Sequence, residues 1–423
     1  MATRTVRTLG IRLGAIDVGH LAWFSDGRSV FQFDESYQLL GPQRPILGLA
    51  FTEPGDEDGT IAKLAQPHAR TVRLPSWFRN LLPEGALREV MARKLGTTTT
   101  DEIGLLEGLG KNLPGAVIAE REPTRAVLKK MRVPGAKEDK AFPVLFSLGG
   151  AQLKLTMMER GSRFATKPKS PDEPASEWII KPPHPTFPRV PENEFGMLSF
   201  AKAIGIDTPE ARLVALKDLD LGDNKNIRIA RGEKLAYAIK RFDRTDDGRR
   251  IHTEDFAQVF GADPEDEYRA TNYDSVGNLV FQLFPDPYEQ IAEFVRRLTF
   301  MILIGNSDAH LKNWSVIYPD GRAPRLSPAY DLVSTIQYTP GNRALALNIR
   351  GEKEFARITR EHFVRMARRI GVAPEFVLKV VDETVARAKD AWREVSRSLP
   401  RETVVALRAH WRELDAGLQI AKS

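Results

Sequence analysis

Gly305-Asn306-Ser307-Asp308-Ala309-His310-Leu311-Lys312-Asn313 is the stretch on which the fold turns. It follows a run in which Ile291, Phe294, Val295, Leu298, Met301 and Ile302 share one helical face, and Gly305 is placed to end that helix. A loop leaving a buried helix crowds polar side chains together only for a reason. Asp308 and Asn313 are five apart (313 − 308 = 5), the separation of base and metal-binding Asn in the loop H-R-D-x-x-x-x-N. A further acid, Asp331, follows 23 residues later (331 − 308 = 23), after a hairpin expected over Val316–Pro328 with Pro319-Asp320-Gly321 as its turn.

Phosphoryl transfer asks a protein for electrostatic positioning more than for covalent chemistry. Asn313 and Asp331 supply hard oxygen ligands for magnesium and leave room for water and phosphate oxygens. Asp308 is placed to orient an acceptor hydroxyl and take its proton. Lys181, at the end of a strand with Pro182 behind it, is a candidate phosphate-facing cation, and Glu194 in the next helix is its candidate partner. Each piece also has a plainer reading: Asp308 and Asp331 as caps, Asn313 as a turn residue, Lys181 as a solvated strand end, Glu194 as a first-turn acid. Their joint occurrence favours a site. His310 beside Asp308 leaves zinc as a weak alternative, since no further His stands at ligand spacing and cysteine is absent.

Outward from the loop, the chain reads as α+β. Short β-type runs (Ile11 to Leu13, Ser29 to Phe33) around the turn Ser25-Asp26-Gly27 open an N-terminal module, 1–122, which continues with helices at Ala86–Leu95 and from Asp101. A Lys/Arg/Pro-rich junction introduces a mixed β-lobe, 123–244, with strands expected at Val144–Phe146, Lys154–Met157, Trp178–Lys181 and Ala236–Phe242 and a helix at Asn193–Ile204. A mainly helical lobe, 245–423, ends in three amphipathic helices, Glu361–Ile370, Glu375–Trp392 and Thr403–Leu418. At 423 residues, 42% hydrophobic and 28% charged, the chain has enough apolar surface to fold. Its net charge of +6 permits polyanionic partners without requiring one. The absence of cysteine excludes disulfides, thiolate nucleophiles and Cys-held zinc and fits a reducing cytoplasm. No signal peptide or membrane-spanning run is read, so no membrane partner is expected. The turn Ser147-Leu148-Gly149-Gly150-Ala151-Gln152-Leu153-Lys154 lies between two expected strands and could cover a nucleotide with backbone N–H groups, or serve only as a small-residue hairpin.

In order along nearly the whole chain, eight blocks resemble the HipA-type toxin kinases: Asn80-Leu81-Leu82-Pro83-Glu84-Gly85, Ser147 to Lys154, Ile179-Ile180-Lys181, Asn193-Glu194, Lys240 to Arg244, His252-Thr253-Glu254-Asp255-Phe256, Asp308 to Asn313, and Tyr330-Asp331-Leu332. The resemblance implies a bilobal protein-kinase-like fold related to the phosphatidylinositol kinases, and a full-length toxin with its own N-terminal module. It implies ATP and Mg2+ as cofactors, Asp308 as catalytic aspartate, Asn313 and Asp331 as magnesium ligands and Lys181 as a phosphate contact. Further nucleotide contacts are implied for Gly149, Gly150, Ala151, Gln152, Leu153, Lys154, Lys240, Arg241, Phe242, His310, Lys312 and Tyr330. Ser147 stands where the family autophosphorylates to silence itself, though it reads equally as a turn cap. Lys240 replaces an acid common in the family, so an adenine contact there relies on backbone groups. Ser307 replaces the arginine of ordinary protein kinases, which favours control through Ser147 or a partner. The block Asn80 to Gly85 reads as a helix-joining element without chemistry. The implied substrate is an aminoacyl-tRNA synthetase, and the implied partner is a HipB-like helix-turn-helix antitoxin, with operator DNA reached only through that partner. A small-molecule or lipid kinase, or a catalytically silent co-repressor, are the competing readings.

Overall fold

Short alternating runs build the N-terminal sheet. The strands β1 (Val6–Leu13), β2 (Ile16–Phe24), β3 (Arg28–Phe33), β4 (His68–Thr71) and β5 (Val117–Arg121) pair antiparallel in the order β4-β3-β2-β1-β5. The β2–β3 turn is Ser25-Asp26-Gly27, where Gly27 takes the positive φ of 83° that a tight hairpin requires. The helices Gly85–Lys94 and Glu102–Leu109 cover this sheet, and Leu9, Leu21, Phe31, Phe78, Met91 and Leu106 form its core. Asp101 caps the second helix by accepting from Gly104 N. β4 carries no apolar alternation to betray it, being a mostly exposed His-Ala-Arg-Thr. The computed structural model describes residues 6–123, 127, 131, 154–161, 163–165, 177–220, 232–339 and 341–420. The junction at 124–140, the expected strand Val144–Phe146, Ser147 and Gly149 to Leu153 lie outside the described residues, save 127 and 131.

The second sheet runs β10-β7-β6-β8-β11-β9, where β6 is Leu155–Arg160, β7 Arg163–Ala165, β8 Trp178–Lys181, β9 Ala211–Ala215, β10 Leu219–Asp220 and β11 Leu235–Lys240. Strand alternation sorts its two faces. Trp178 and Ile180 join Leu155, Met157, Ala236 and Ala238 in a small core on one side. Ile179 and Lys181 point the other way, opposite Ile239 and Tyr237 in the β8–β11 register. The helix Val190–Ala203 packs near this second face, its Met197 and Phe200 sharing a core with Tyr237 and Ile239. The 240–242 segment therefore leaves the end of an interior strand, not an edge.

The rest is mainly helical. Helix Pro287–Ile304 is closed by Gly305 at φ 62°, a position where a Cβ would also lie 2.6 Å from the Ile336 side chain. The expected hairpin is present: β13 (Ser315–Tyr318) and β14 (Arg325–Leu326) pair antiparallel, and β12 (His252–Asp255) flanks β13. Helices Arg360–Ile370, Pro374–Val395 and Arg401–Glu413 complete the lobe. The last stops short of the expected Leu418. Leu414 is extended, Asp415 accepts from Gly417 N, and a 3-10 turn at Ala416–Leu418 lets Leu414 and Leu418 both reach the core. Together the two lobes and the N-terminal module make the α+β, bilobal kinase-like architecture. No helix among the described residues is long and apolar enough to cross a membrane.

The N-terminal module is bolted to the lobes by buried polar contacts. Arg241 and Arg244 grip Asp243, whose Oδ2 also accepts from Gly115 N at 2.7 Å, while Arg244 donates to the carbonyls of Gly115 and Leu113. Both guanidiniums hold the Asp243 carboxyl well below the usual range despite its burial. Gly115 sits at φ 64°, and a Cβ there would stand 2.6 Å from Thr253 N. Gly115→Ala is expected to cost about 2 kcal/mol or more, from the left-handed backbone and from overpacking, read as a lowered midpoint in urea denaturation.

Candidate active site

A cleft lies between the second face of the six-stranded sheet, the Asp308–Asn313 loop and the edge of the N-terminal module. Ile179, Ile239 and Phe242 give it an apolar wall, while Lys154, Lys181 and Asp331 crowd one end with charge. That division suits a flat heteroaromatic group joined to a polyanion.

The charged end follows from local structure. Alternation turns Lys181 inward, and the helix Val190–Ala203 brings Glu194 against it, so Lys181 Nζ donates to Glu194 Oε2 at 2.5 Å. The same ammonium donates to Asp331 Oδ1, and Lys154 Nζ donates to Asp331 Oδ2 at 3.0 Å. Lys181 is 3% exposed and Glu194 4%. Burial alone would lower the Lys181 pKa, but the charges of Asp331 and Glu194 outweigh it and hold the group above its ordinary value. Burial likewise works against an ionised Asp331, yet Lys154 and Lys181 keep its carboxyl well below the usual range. Asp331 has φ 51°, a left-handed backbone that Asp tolerates better than most residues but that still costs about 1–3 kcal/mol.

The loop is tied to Asp331 through Asn306, which is fully buried. Its Oδ1 accepts from Asp308 N at 3.0 Å and its Nδ2 donates to Asp331 O at 3.4 Å. Asn313 Nδ2 donates to Asp308 O at 2.6 Å, and among the described residues the amide oxygen of Asn313 accepts nothing. The Asp308 side chain remains 54% exposed, with Tyr268 OH donating to its Oδ1 at 2.5 Å. Desolvation and the Asp331 charge push the Asp308 carboxyl up, and the tyrosine bond pulls it partly back. His310 is buried and neutral, its pKa pushed down to about 3 by burial and by Lys312. The donor set of Asp331 and Asn313 is two hard oxygens. Magnesium commonly takes one or two carboxylates and completes its shell with water and phosphate. The residues therefore fit that ion. Among the described residues no group of three or more His, Cys, Asp or Glu is placed to hold a metal.

Of the residues singled out from sequence, Lys154, Lys181, His310, Lys312, Asn313, Tyr330 and Asp331 line this one cleft, with Glu194 behind Lys181 and Asp308 beside His310. Tyr330 OH donates to Lys312 O at 2.9 Å and its ring lies 5.6 Å from that of Phe242. Lys240 and Arg241 line the cleft through segment 240–242, but their charged ends are engaged elsewhere: Lys240 with exposed Asp246, Arg241 with Asp243.

Sequence reasoning missed several contributors. Glu84, in the block read as merely structural, pairs with Lys312 across the module boundary, and Asn80 of the same block donates to Ala262 O at 2.8 Å. Asn306 and Tyr268 were likewise unassigned. A quoted but unassigned block, His252 to Phe256, supplies Glu254, which accepts from Trp77 Nε1 at 3.0 Å, Leu49 N at 2.8 Å and Tyr318 OH. Asn306 has one near partner, Asp308 N, but the contacts of Glu84, Tyr268 and Glu254, the Asn80 bond to Ala262 and the Asn306 bond to Asp331 all join segments distant in sequence, where no local signal exists.

Glu254 carries a pH prediction. It is 1% exposed, and burial pushes its carboxyl up to about 7 from 4.5, although the three donors oppose this. The folded chain therefore binds this proton more tightly than the unfolded chain. The resulting stability is complete below the unfolded pKa of 4.5 and is lost as pH rises through about 7. Between about pH 5 and pH 8 the unfolding free energy is expected to fall by about 2–3 kcal/mol on this account. In Glu254→Gln that component should vanish, so urea denaturation of both proteins at the two pH values should give a shallower loss for the variant.

The chain matches two family descriptions, "HipA N-terminal domain" over residues 9–120 and "HipA-like C-terminal domain" over residues 146–392. A Sinorhizobium fredii protein named "Putative kinase Y4dM" is 37% identical over 409 residues, covering 95% of each chain. The serine/threonine-protein kinase toxin HipA of Shewanella oneidensis is 23% identical over 436 residues, covering 95% of this chain and 92% of that one. A solved structure of Shewanella oneidensis HipA with HipB and operator DNA superposes with a TM-score of 0.70 at 20% identity, covering 97% of this chain and 96% of that one, and so shares the fold.

Proposed function

This chain belongs to the HipA family, and on that footing we propose that it is an ATP- and magnesium-dependent protein serine/threonine kinase acting as the toxin of a toxin–antitoxin pair. The observation that carries the proposal is the convergence of Lys154, Lys181 and Asp331 at the charged end of a half-apolar cleft, tied through Asn306 to the Asp308 loop. Ile179, Ile239 and Phe242 face the adenine, and Lys181 and Lys154 bind the phosphates. Asp331 and the amide oxygen of Asn313 would hold the metal. Magnesium bound there would supply positive charge to offset what develops on the phosphate during transfer. Asp308 takes the acceptor hydroxyl proton at its carboxylate, and Asn306 and Asn313 fix the loop that aims it.

The half-exposed Asp308 favours a macromolecular acceptor over a small enclosed one. On the family resemblance, that acceptor is an aminoacyl-tRNA synthetase in the cytoplasm, whose phosphorylation halts translation. Ser147 is the self-inhibitory phosphorylation site, and the partner is a HipB-like helix-turn-helix antitoxin that carries operator DNA. We divide the chain into an N-terminal module (1–122), a kinase N-lobe (123–244) and a C-lobe (245–423).

Mass spectrometry of phosphosites after induction of the wild type and of Asp308→Asn tests the proposal. New seryl or threonyl phosphosites, one of them Ser147, should appear with the wild type alone. Identical phosphosites in both would refute it.

A further inference from the structure

A phenol stands against the Asp308 carboxylate. Tyr268 OH donates to Asp308 Oδ1 at 2.5 Å, the length of a strong O–H···O⁻ bond and within the reach a general base needs to its proton donor. Oδ1 is also 3.9 Å from His310 Nε2, and His310 lines the cleft, so this oxygen stands one side chain from the cleft wall. The Tyr268 ring lies against the His310 ring with centroids 4.7 Å apart. The side chain is 38% exposed, so it reaches in from the surface and is not locked in the core.

Its backbone, by contrast, is held. Asp263 and Glu265, just before it, accept from Arg79 of the N-terminal module at 3.0 and 2.6 Å, and Arg79 is 4% exposed. Arg269 N and Ala270 N, just after it, both donate to Asp266 O at 2.8 Å. A fixed backbone with an exposed side chain makes a part that moves by rotamer alone.

We propose that Tyr268 is an acceptor-selecting residue: its hydroxyl fills the acceptor position at Asp308 until a protein substrate displaces it, and until then it denies that position to water. This rests on the reading of Asp308 as the base of a kinase. The reaction it suppresses is hydrolysis. In that reaction a water oxygen bonds to the γ-phosphorus and its proton passes to Asp308. The bond from γ-phosphorus to the bridging oxygen breaks, and ADP and phosphate leave.

The test uses the full chain with Mg-ATP alone and measures phosphate release for wild type, Tyr268→Phe, Asp308→Asn and the double variant, with ATP binding measured in parallel. Tyr268→Phe keeps the ring on His310 and removes only the hydroxyl. Loss of one charge-assisted bond is expected to raise phosphate release about tenfold, and the double variant should lose the gain. A purely orienting tyrosine would make release fall. A fall, no change, or a gain that persists in the double variant overturns the proposal. If wild type binds Mg-ATP and one of these occurs, only the role of Tyr268 fails. If wild type binds no Mg-ATP, the kinase reading fails and takes this one with it.

Discussion

Asp308→Asn is expected to lower phosphotransfer by about two to four orders of magnitude, the usual worth of a positioned general base, while leaving the urea midpoint within error of wild type. The two halves of that expectation come from different observations. The side chain is more than half exposed and its partner is the surface residue Tyr268, so little folding free energy depends on it. The amide can still accept from Tyr268 but cannot take a proton. The loop geometry is set by Asn306 Oδ1 on Asp308 N and by Asn313 on Asp308 O, neither of which involves the substituted group. Phosphotransfer to protein, followed with labelled ATP, and urea denaturation of the same preparations check both halves. A large loss of stability together with activity would instead make Asp308 a structural cap.

Lys181→Met has the opposite character. Lys181 and Glu194 are both nearly inaccessible, and the lysine also meets Asp331, so removing it leaves two carboxylates facing each other with only Lys154 to compensate. Breaking a buried pair from one side costs about 3–5 kcal/mol. Phosphotransfer should fall by about a hundredfold or more, since a desolvated cation aimed at phosphate stabilises the transition state strongly. The double variant Lys181→Met with Glu194→Leu separates the two effects. An apolar pair of similar volume often matches or exceeds a buried ion pair in stability, so urea denaturation should recover most of the loss while activity stays low. Recovery of both would mean that Lys181 contributes packing alone. The pair thus fits a chemical purpose better than a structural one, as does the left-handed backbone at Asp331.

Where function is encoded locally, the sequence could be read. The apolar stripe of Pro287–Ile304, the glycine that ends it, the Asp308–Asn313 spacing and the hairpin before Asp331 all follow from residue order. The inward direction of Lys181 follows from strand period, since Trp178 and Ile180 must fill the opposite core. What could not be read is contact between distant segments. Glu84 lies 312 − 84 = 228 residues from Lys312, and nothing around it distinguishes a helix-joining turn from a wall of the cleft. The family resemblance implies a nucleotide contact from Arg241, and the residue does line the cleft. Its charge, however, is taken up by Asp243 and by Leu113 O of the N-terminal module, a partnership invisible without the docked module. The early end of Arg401–Glu413 has the same origin, because amphipathic spacing continued while burial of Leu414 and Leu418 demanded a turn.

If Asp331, Asn313 and Lys181 build one site for a metal-bound triphosphate, isothermal titration calorimetry with ATP, with and without magnesium, should show wild-type binding that strengthens with the metal. In Asp331→Asn that strengthening should be lost. Equal, magnesium-independent binding by both proteins, or none by the wild type, would mean that these residues form no such site.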